Sequence, residues 1–213
     1  MRQWVNSSEG IQRAKFVMVD PTKITNFHLN QTELEEVLLF WVCAAGKNGV
    51  TAAKCLDNLL SAWLESAKSP QWQIPSPFDI ILCIAKFADL PSEMKKYGIG
   101  CYNAKSKTFQ YLAKSRLDLQ KCTLDDLEKV PGIGPKTARC FLIHSRKDQQ
   151  YAGLDVHCLK FLRDKGHDVP KSTPTGKKYR DLEIIFLKYA NESGMSVADF
   201  DLMIWNRYRN KAA

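Results

Sequence analysis

Apolar positions recur every three or four residues along most of this 213-residue chain, the repeat expected of helices with one buried face. The pattern predicts helices over Thr32–Ala45, Val50–Ala67, Pro77–Ala88, Ser92–Tyr97, Asn103–Ala113, Leu124–Lys129, Pro135–Ser145, Val156–Lys165, Lys177–Asn191 and Val197–Arg209. The last two are the plainest. Leu182, Ile185, Phe186 and Tyr189 repeat at helical spacing, and Ser196 with Asp199 marks a new start after Gly194. Val37–Ala45 is the most apolar run, too short to span a bilayer and suited to a buried central helix. Loops are expected at Ser69–Ser76 and His167–Gly176, where prolines and polar residues gather. No convincing strand ladder, internal repeat or low-complexity tract is present, so the fold class is all-α. The first thirty residues carry a weaker pattern, with Val17, Val19 and Ile24 as candidates for extended chain.

One break in the helical pattern has chemistry of its own: Val130-Pro131-Gly132-Ile133-Gly134-Pro135-Lys136-Thr137-Ala138. Before it, Thr123 and Asp126 have the spacing of an N-cap and its acidic partner, and Leu124, Leu127 and Val130 form the apolar side of a short helix. Gly132 and Gly134 permit positive φ and carry no Cβ to hold another backbone away. Pro135 suits the first position of the next helix, where its missing N–H costs nothing. The N–H groups of Gly132, Ile133, Gly134, Lys136 and Thr137, at the positive end of that helix, make an anion site suited to phosphate. Such a grip does not read base sequence. A Gly-rich turn between packed helices is the plain alternative, but the flanking helices, Pro135 and the basic Lys129, Lys136 and Arg139 favour the grip.

Charge is unevenly placed in a way that agrees. The net charge is +8, yet residues 1–94 hold 8 basic and 10 acidic side chains, and residues 95–213 hold 23 and 13. The Gly-rich turn thus lies in the basic part, as a polyanionic partner requires. The seven cysteines (43, 55, 83, 101, 122, 140 and 158) are odd in number and contain no C-x-x-C pair. That argues against a disulfide framework and a zinc site, and fits a reducing intracellular compartment such as the cytoplasm or nucleoid. No cysteine follows Cys158, which excludes a C-terminal four-cysteine iron–sulfur cluster. The start, Met1-Arg2-Gln3-Trp4, lacks the apolar stretch of a secretory signal.

Val130–Ala138, together with Leu154-Asp155-Val156-His157 nineteen residues beyond Lys136, resembles the helix-hairpin-helix/Gly-Pro-Asp superfamily of DNA glycosylases, the group of endonuclease III and the 8-oxoguanine glycosylases. Ile99-Gly100-Cys101-Tyr102-Asn103-Ala104-Lys105 is similar to that family's Gly-x-Tyr-x-x-Lys-Ala segment, with Ser106 in place of the usual Ala. Ser172-Thr173-Pro174 is similar to its Thr-Pro. The resemblance covers about Glu33–Trp205 and implies a two-lobed all-α fold. A six-helix barrel, 33–149, would end in the hairpin; residues 1–32 and 150–213 would form the second lobe. The active site would occupy the cleft, with Lys136 from one side and Asp155 from the other. The implied partner is duplex DNA containing a damaged base, bound by a monomer without membrane or required cofactor. A monovalent or divalent cation at the hairpin is compatible with this.

The resemblance also assigns roles. Lys136 would be the amine that attacks C1′ of a deoxyribose, expels the base and forms a Schiff base. Its place in the first turn of a helix, and partial burial, are expected to push its pKa down. Asp155 is a ready N-cap for the next helix and by resemblance also stabilises positive charge on the sugar. His157 is expected to pack behind them. A base can be reached only after extrusion, so a wedge and a gap-filling group are needed. Cys101 and Tyr102 fall where relatives place the wedge. Lys47 and Asn48 fall where relatives place the gap-filler, although a core aromatic at Tyr102 and a plain helix–helix turn at Gly46–Gly49 remain open. Asp201 and Trp205 resemble the Asp-x-x-x-Trp of compact archaeal-type 8-oxoguanine glycosylases, which implies a base pocket; their spacing puts them on one helix face, and a core tryptophan with a solvated aspartate remains open. The chain ends Asn210-Lys211-Ala212-Ala213, without that group's terminal lysine. The favoured activity is therefore an 8-oxoguanine glycosylase and AP lyase that cleaves the strand by β-elimination. An endonuclease III-like enzyme for oxidised pyrimidines and a non-catalytic hairpin module are the alternatives.

Overall fold

The computed structural model describes residues 4–5, 13–14, 18–64 and 75–209. All ten expected helices are present: α1 (Gln31–Ala44), α2 (Gly49–Leu64), α3 (Pro77–Phe87), α4 (Leu90–Lys96), α5 (Tyr102–Ser115), α6 (Leu124–Glu128), α7 (Pro135–Ser145), α8 (Val156–Asp164), α9 (Gly176–Glu192) and α10 (Val197–Arg209). The start of α4 is two residues earlier than the apolar pattern predicts. Asp89 caps it by accepting the Ser92 N–H at 3.0 Å, and Pro91 fits the first turn. One small ladder was not expected. β1 (Trp4–Val5) pairs antiparallel with β2 (Arg13–Ala14), strands too short for alternation to show in the sequence. Val19 and Ile24 lie outside any helix or strand, and Ile24 is buried. Val17, nearly all of the Ser69–Ser76 loop and the chain end at 210–213 lie outside the described residues.

The chain divides into two compact units, Met1–Pro21 with Leu29–Ile133 and Thr22–His28 with Gly134–Ala213. The division falls inside the Gly-rich turn, not near residue 149, and the short segment Thr22–His28 alone represents the N-terminal region in the second unit. In the first unit α1 packs against α2, α3 and α5, and its run from Val37 to Cys43 is buried on every face. Lys105 ends this helix. Its buried ammonium donates to the carbonyls of Cys43 at 2.8 Å and Ala45 at 2.9 Å, acceptors that a helix C-terminus otherwise leaves unmet. Burial pushes the Lys105 pKa down. The family-like lysine of the Gly-x-Tyr-x-x-Lys segment thus has a structural task.

In the second unit α10 packs on α7, α8 and α9 around Ile143, Leu159, Phe161, Leu182, Phe186, Phe200 and Ile204. Phe161 sits edge-on to Phe186, Phe200 and Tyr189, an arrangement that aromatic rings favour over face-to-face stacking.

Gly132 and Gly134 differ in what they require. Gly132 has φ +88°, and a Cβ on it would fall 2.1 Å from Thr108 Oγ1, which itself donates to the Pro131 carbonyl at 2.8 Å. Gly134 has φ −94°, in extended conformation, and a Cβ there would meet nothing within 4 Å. Gly132→Ala is therefore expected to lower unfolding free energy by about 2 kcal/mol or more in urea titration. Gly134→Ala should stay within about 1 kcal/mol.

Candidate active site

Lys136 occupies the second position of α7, behind Gly134 as N-cap and Pro135 in the first turn. The first bond inside this helix runs from Ala138 N–H to Gly134 O at 3.1 Å, so the N–H groups of Lys136 and Thr137 have no acceptor within their own helix. Ile133 and Thr137 are buried and hold the turn from within. Arg139 has a different place from the one expected. It is buried and donates from Nε to Glu183 Oε1 at 2.7 Å, with its guanidinium 4.8 Å from the Tyr179 ring centre. It is a core ion pair and not part of a phosphate grip.

Asp155 caps α8, accepting the N–H groups of His157 at 2.8 Å and Cys158 at 2.9 Å on one oxygen. The loop before it is fixed at each residue. Glu183 accepts the Ala152 N–H at 2.9 Å, and the Tyr179 hydroxyl donates to the Ala152 carbonyl at 2.7 Å and accepts the Leu154 N–H at 3.1 Å. Thr173 donates to the Leu154 carbonyl at 3.0 Å, which gives the family-like Thr-Pro a physical reason. Gly153 passes so close to α7 that a Cβ would lie 2.2 Å from Cys140 Sγ. Lys136 and Asp155 therefore belong to the same unit, not to opposite lobes as expected. The Arg139–Glu183 pair and the Gly153–Cys140 approach bind α7 to the loop that carries Asp155.

Four groups act on the Lys136 amine. Burial, the largest single influence, pushes its pKa down; Cys140, Asp155, Asp201 and Cys158 push it up and together prevail. The resting amine is thus held as an ammonium, opposite to the direction expected from the helix dipole. Of these neighbours the Asp155 and Asp201 carboxylates are the ones that oppose the ammonium charge directly, whereas the helix dipole amounts to only about half a charge. Stability from these contacts is fully present below the ordinary lysine pKa and is lost as pH rises through the raised one. Burial also pushes the thiols of Cys140 and Cys158 well up, so both stay protonated and neither competes as nucleophile.

Sequence reasoning passed over these two cysteines and His144. A signal existed: Cys140 is one helical turn beyond Lys136, and Cys158 three residues beyond Asp155.

Asp201 is buried and turned inward. Cys158 Sγ donates to its Oδ1 at 3.4 Å, and His144 Nε2 lies 3.2 Å from its Oδ2. Trp205 is half-buried, edge-on to His157 with ring centres 6.3 Å apart and with the Arg209 guanidinium 4.5 Å from its centre.

The remaining candidates lie in the first unit. Tyr102 opens α5 with Lys95 Nζ 5.7 Å from its ring centre, and Cys101 before it is exposed at φ +52°. A non-glycine residue in that region carries strain. Lys47 donates to the Gly98 carbonyl at 2.9 Å, and Asn48 accepts the Thr51 N–H at 3.2 Å as a cap of α2. Gly46–Gly49 is thus a braced turn.

Residues 117–144 match the helix-hairpin-helix motif. A 79-residue stretch is 33% identical to the 8-oxoguanine DNA glycosylase/AP lyase of Picrophilus torridus, spanning 37% of this chain and 37% of that relative. The structure matches the Methanocaldococcus jannaschii 8-oxoguanine glycosylase/lyase, solved with a 15mer DNA containing 8-oxoguanine, with TM-score 0.66 at 19% identity over 91% of this chain and 89% of that one. This is the helix-hairpin-helix DNA glycosylase fold. The 8-oxoguanine DNA glycosylase of Thermotoga maritima shares it, with TM-score 0.63 at 19% identity over 87% of this chain and 85% of its own. Within this glycosylase fold, no group of three or more His, Cys, Asp or Glu suited to a metal occurs among the described residues. No described helix is long and apolar enough to cross a membrane.

Arg139→Ala would leave Glu183 charged and buried beside the Asp155 loop. It is expected to cost about 3–5 kcal/mol in denaturant unfolding, because a buried charge loses its partner.

Proposed function

We propose that the protein is a bifunctional DNA glycosylase and AP lyase that excises 8-oxoguanine, with Lys136 as nucleophile and Asp155 as the carboxylate beside it. The observation that carries this reading is a lysine amine at a hairpin-led helix start, acted on by a carboxylate whose loop is fixed by Glu183, Tyr179 and Thr173. The partial likeness to a named glycosylase/AP lyase supports the substrate.

The chemistry follows from the amine. The Lys136 ammonium first gives up a proton. Nζ then forms a bond to C1′ as the bond from C1′ to the base nitrogen breaks, and the base leaves with a proton. Asp155 offsets the positive charge that develops on the sugar. Ring opening gives the Schiff base, loss of a C2′ proton follows, and the C3′–O bond breaks in β-elimination. The N–H groups of the hairpin hold the flanking phosphate, and a monovalent or divalent cation there would add to that grip. Trp205 offers the flat apolar surface on which an extruded base stacks, and Tyr102 is the wedge. The reaction requires no cofactor and one protein copy. All seven cysteines are free thiols, which suits a reducing intracellular compartment.

Borohydride trapping tests the reading. Duplexes carrying 8-oxoguanine, thymine glycol, uracil or an abasic site are incubated with protein and reductant. The expected result is a covalent adduct with the 8-oxoguanine and abasic duplexes, reduced to background in Lys136→Gln. Failure to trap the abasic duplex would rule out the lyase, and preference for thymine glycol would move the substrate to oxidised pyrimidines. Binding of Lys136→Gln to undamaged duplex is expected to persist and to weaken steeply with salt, because phosphate contacts release counterions.

A further inference from the structure

The helix stripe that holds Asp201 and Trp205 has a third member. Arg209 follows the indole by four positions on α10, as the indole follows the carboxylate. The stripe thus runs from a buried acid through a half-buried ring to a half-buried cation. Arg207, on another face of the same turn, is exposed. Arg209 instead lies on the ring, its guanidinium carbon 4.5 Å from the Trp205 centre and well inside cation–π range. The turn that carries it is pinned. Tyr208 is buried, and its hydroxyl donates to Asp164 Oδ2 at 2.8 Å, which joins the end of α10 to the end of α8. Trp205 also meets the His157 ring edge-on, and the His157 N–H is one of the two held by Asp155. One residue therefore links the ring under Arg209 to the carboxylate of the candidate active site.

Arg209 has a donor to spare. Its Nε is buried and meets no acceptor among the described residues. A buried N–H without a partner is costly, and a guanidinium carries donors alone, so its missing partner is an acceptor. A backbone phosphate would be met by a cation extended into solvent, as the exposed Arg207 is. Arg209 lies against the flat surface on which, in the proposed reaction, an extruded base stacks. A base on that surface shares a layer with the guanidinium and turns its rim, not its face, towards the N–H groups. Arginine pairs with the carbonyl oxygen of guanine in the same in-plane manner within duplex DNA.

We infer that Arg209 is a specificity-determining residue of the base site, donating to a carbonyl oxygen on the rim of the base stacked on Trp205. This rests on the reading of Trp205 as the stacking surface of a glycosylase. It favours bases with a carbonyl at that rim, as 8-oxoguanine has at C6 and C8, over bases with an amino group there, as adenine has at C6. An amino group would set donor against donor. Asp201, at the other end of the stripe, supplies acceptors, so the two ends are complementary in kind.

The test compares the full-length wild type with Arg209→Met and Arg209→Gln on duplexes carrying 8-oxoguanine or an abasic site, with thermal unfolding checking each fold. Methionine keeps a long stem on the indole without a donor, and glutamine keeps a neutral N–H. Under single turnover, Arg209→Met should slow release of 8-oxoguanine about tenfold to a hundredfold. Borohydride trapping of the abasic duplex, which has no base to hold, should be unchanged. Arg209→Gln should recover part of the loss, as a role in packing or charge alone would not allow. Should Arg209→Met fail to fold, Arg209→Ala takes its place in the comparison. Equal loss on both duplexes, with a shallower salt dependence of binding, would overturn the inference in favour of a phosphate contact. Unchanged release of 8-oxoguanine would overturn it outright. If the wild type traps no abasic adduct, the nucleophile reading fails and the inference with it; a wild type that traps the adduct while Arg209→Met behaves normally sinks the inference alone.

Discussion

The approach of Gly153 to Cys140 is the constraint from which the rest of the candidate active site follows. With no side chain at residue 153, the loop lies against α7 where a single methyl would collide with sulfur. Lys136 is one turn before Cys140 and Asp155 is two residues after Gly153, so this contact brings the stretches that carry the amine and the carboxylate together. The other supports act on the same place. Glu183 joins Arg139 of α7 to the Ala152 N–H, and Tyr179 takes both polar groups of the loop on one hydroxyl. In the proposed reaction, groups held this way would meet the substrate already arranged, which removes much of the entropic cost of bringing them together.

Electrostatics gives the arrangement its character. A lysine that is partly buried would ordinarily lose its proton easily, since burial disfavours charge. Here the surrounding anions reverse that tendency. The amine rests as an ammonium, a form suited to an anionic strand and unsuited to attack. In the proposed reaction, phosphate binding and nucleophilic attack would ask for opposite protonation states of this one nitrogen, and the proton would have to move between the two stages.

Much of this was legible in the sequence, for reasons that can be named. The ten helices followed from apolar spacing, and caps such as Asp89 explain the small errors at their ends. Gly132 was legible as a turn residue, whereas Gly134 merely shares its identity and not its conformation. Long-range partners were hidden. Nothing local in Arg139 announces that Glu183, 44 positions away, will take it out of the basic surface. Asp201 and Trp205 share a helix face in sequence terms, yet His144 and Cys158 draw the carboxylate inward and leave the indole half-exposed. The unit boundary was misjudged because α7 continues the hairpin in sequence while its packing partners come later in the chain.

The assignment of Thr22–His28 to the second unit has a consequence for how the chain acquires its structure. Thr25 and His144 are 119 positions apart, so during synthesis the segment leaves the ribosome long before its partner helix exists. The intervening residues of the first unit can condense earlier, because their contacts are closer in sequence. The second unit can close only when its own first strip of chain, waiting unpaired, is recaptured by α7. Closing so long a loop carries an entropic cost that grows only slowly with length. The order of assembly therefore places completion of the unit that carries Lys136 and Asp155 last.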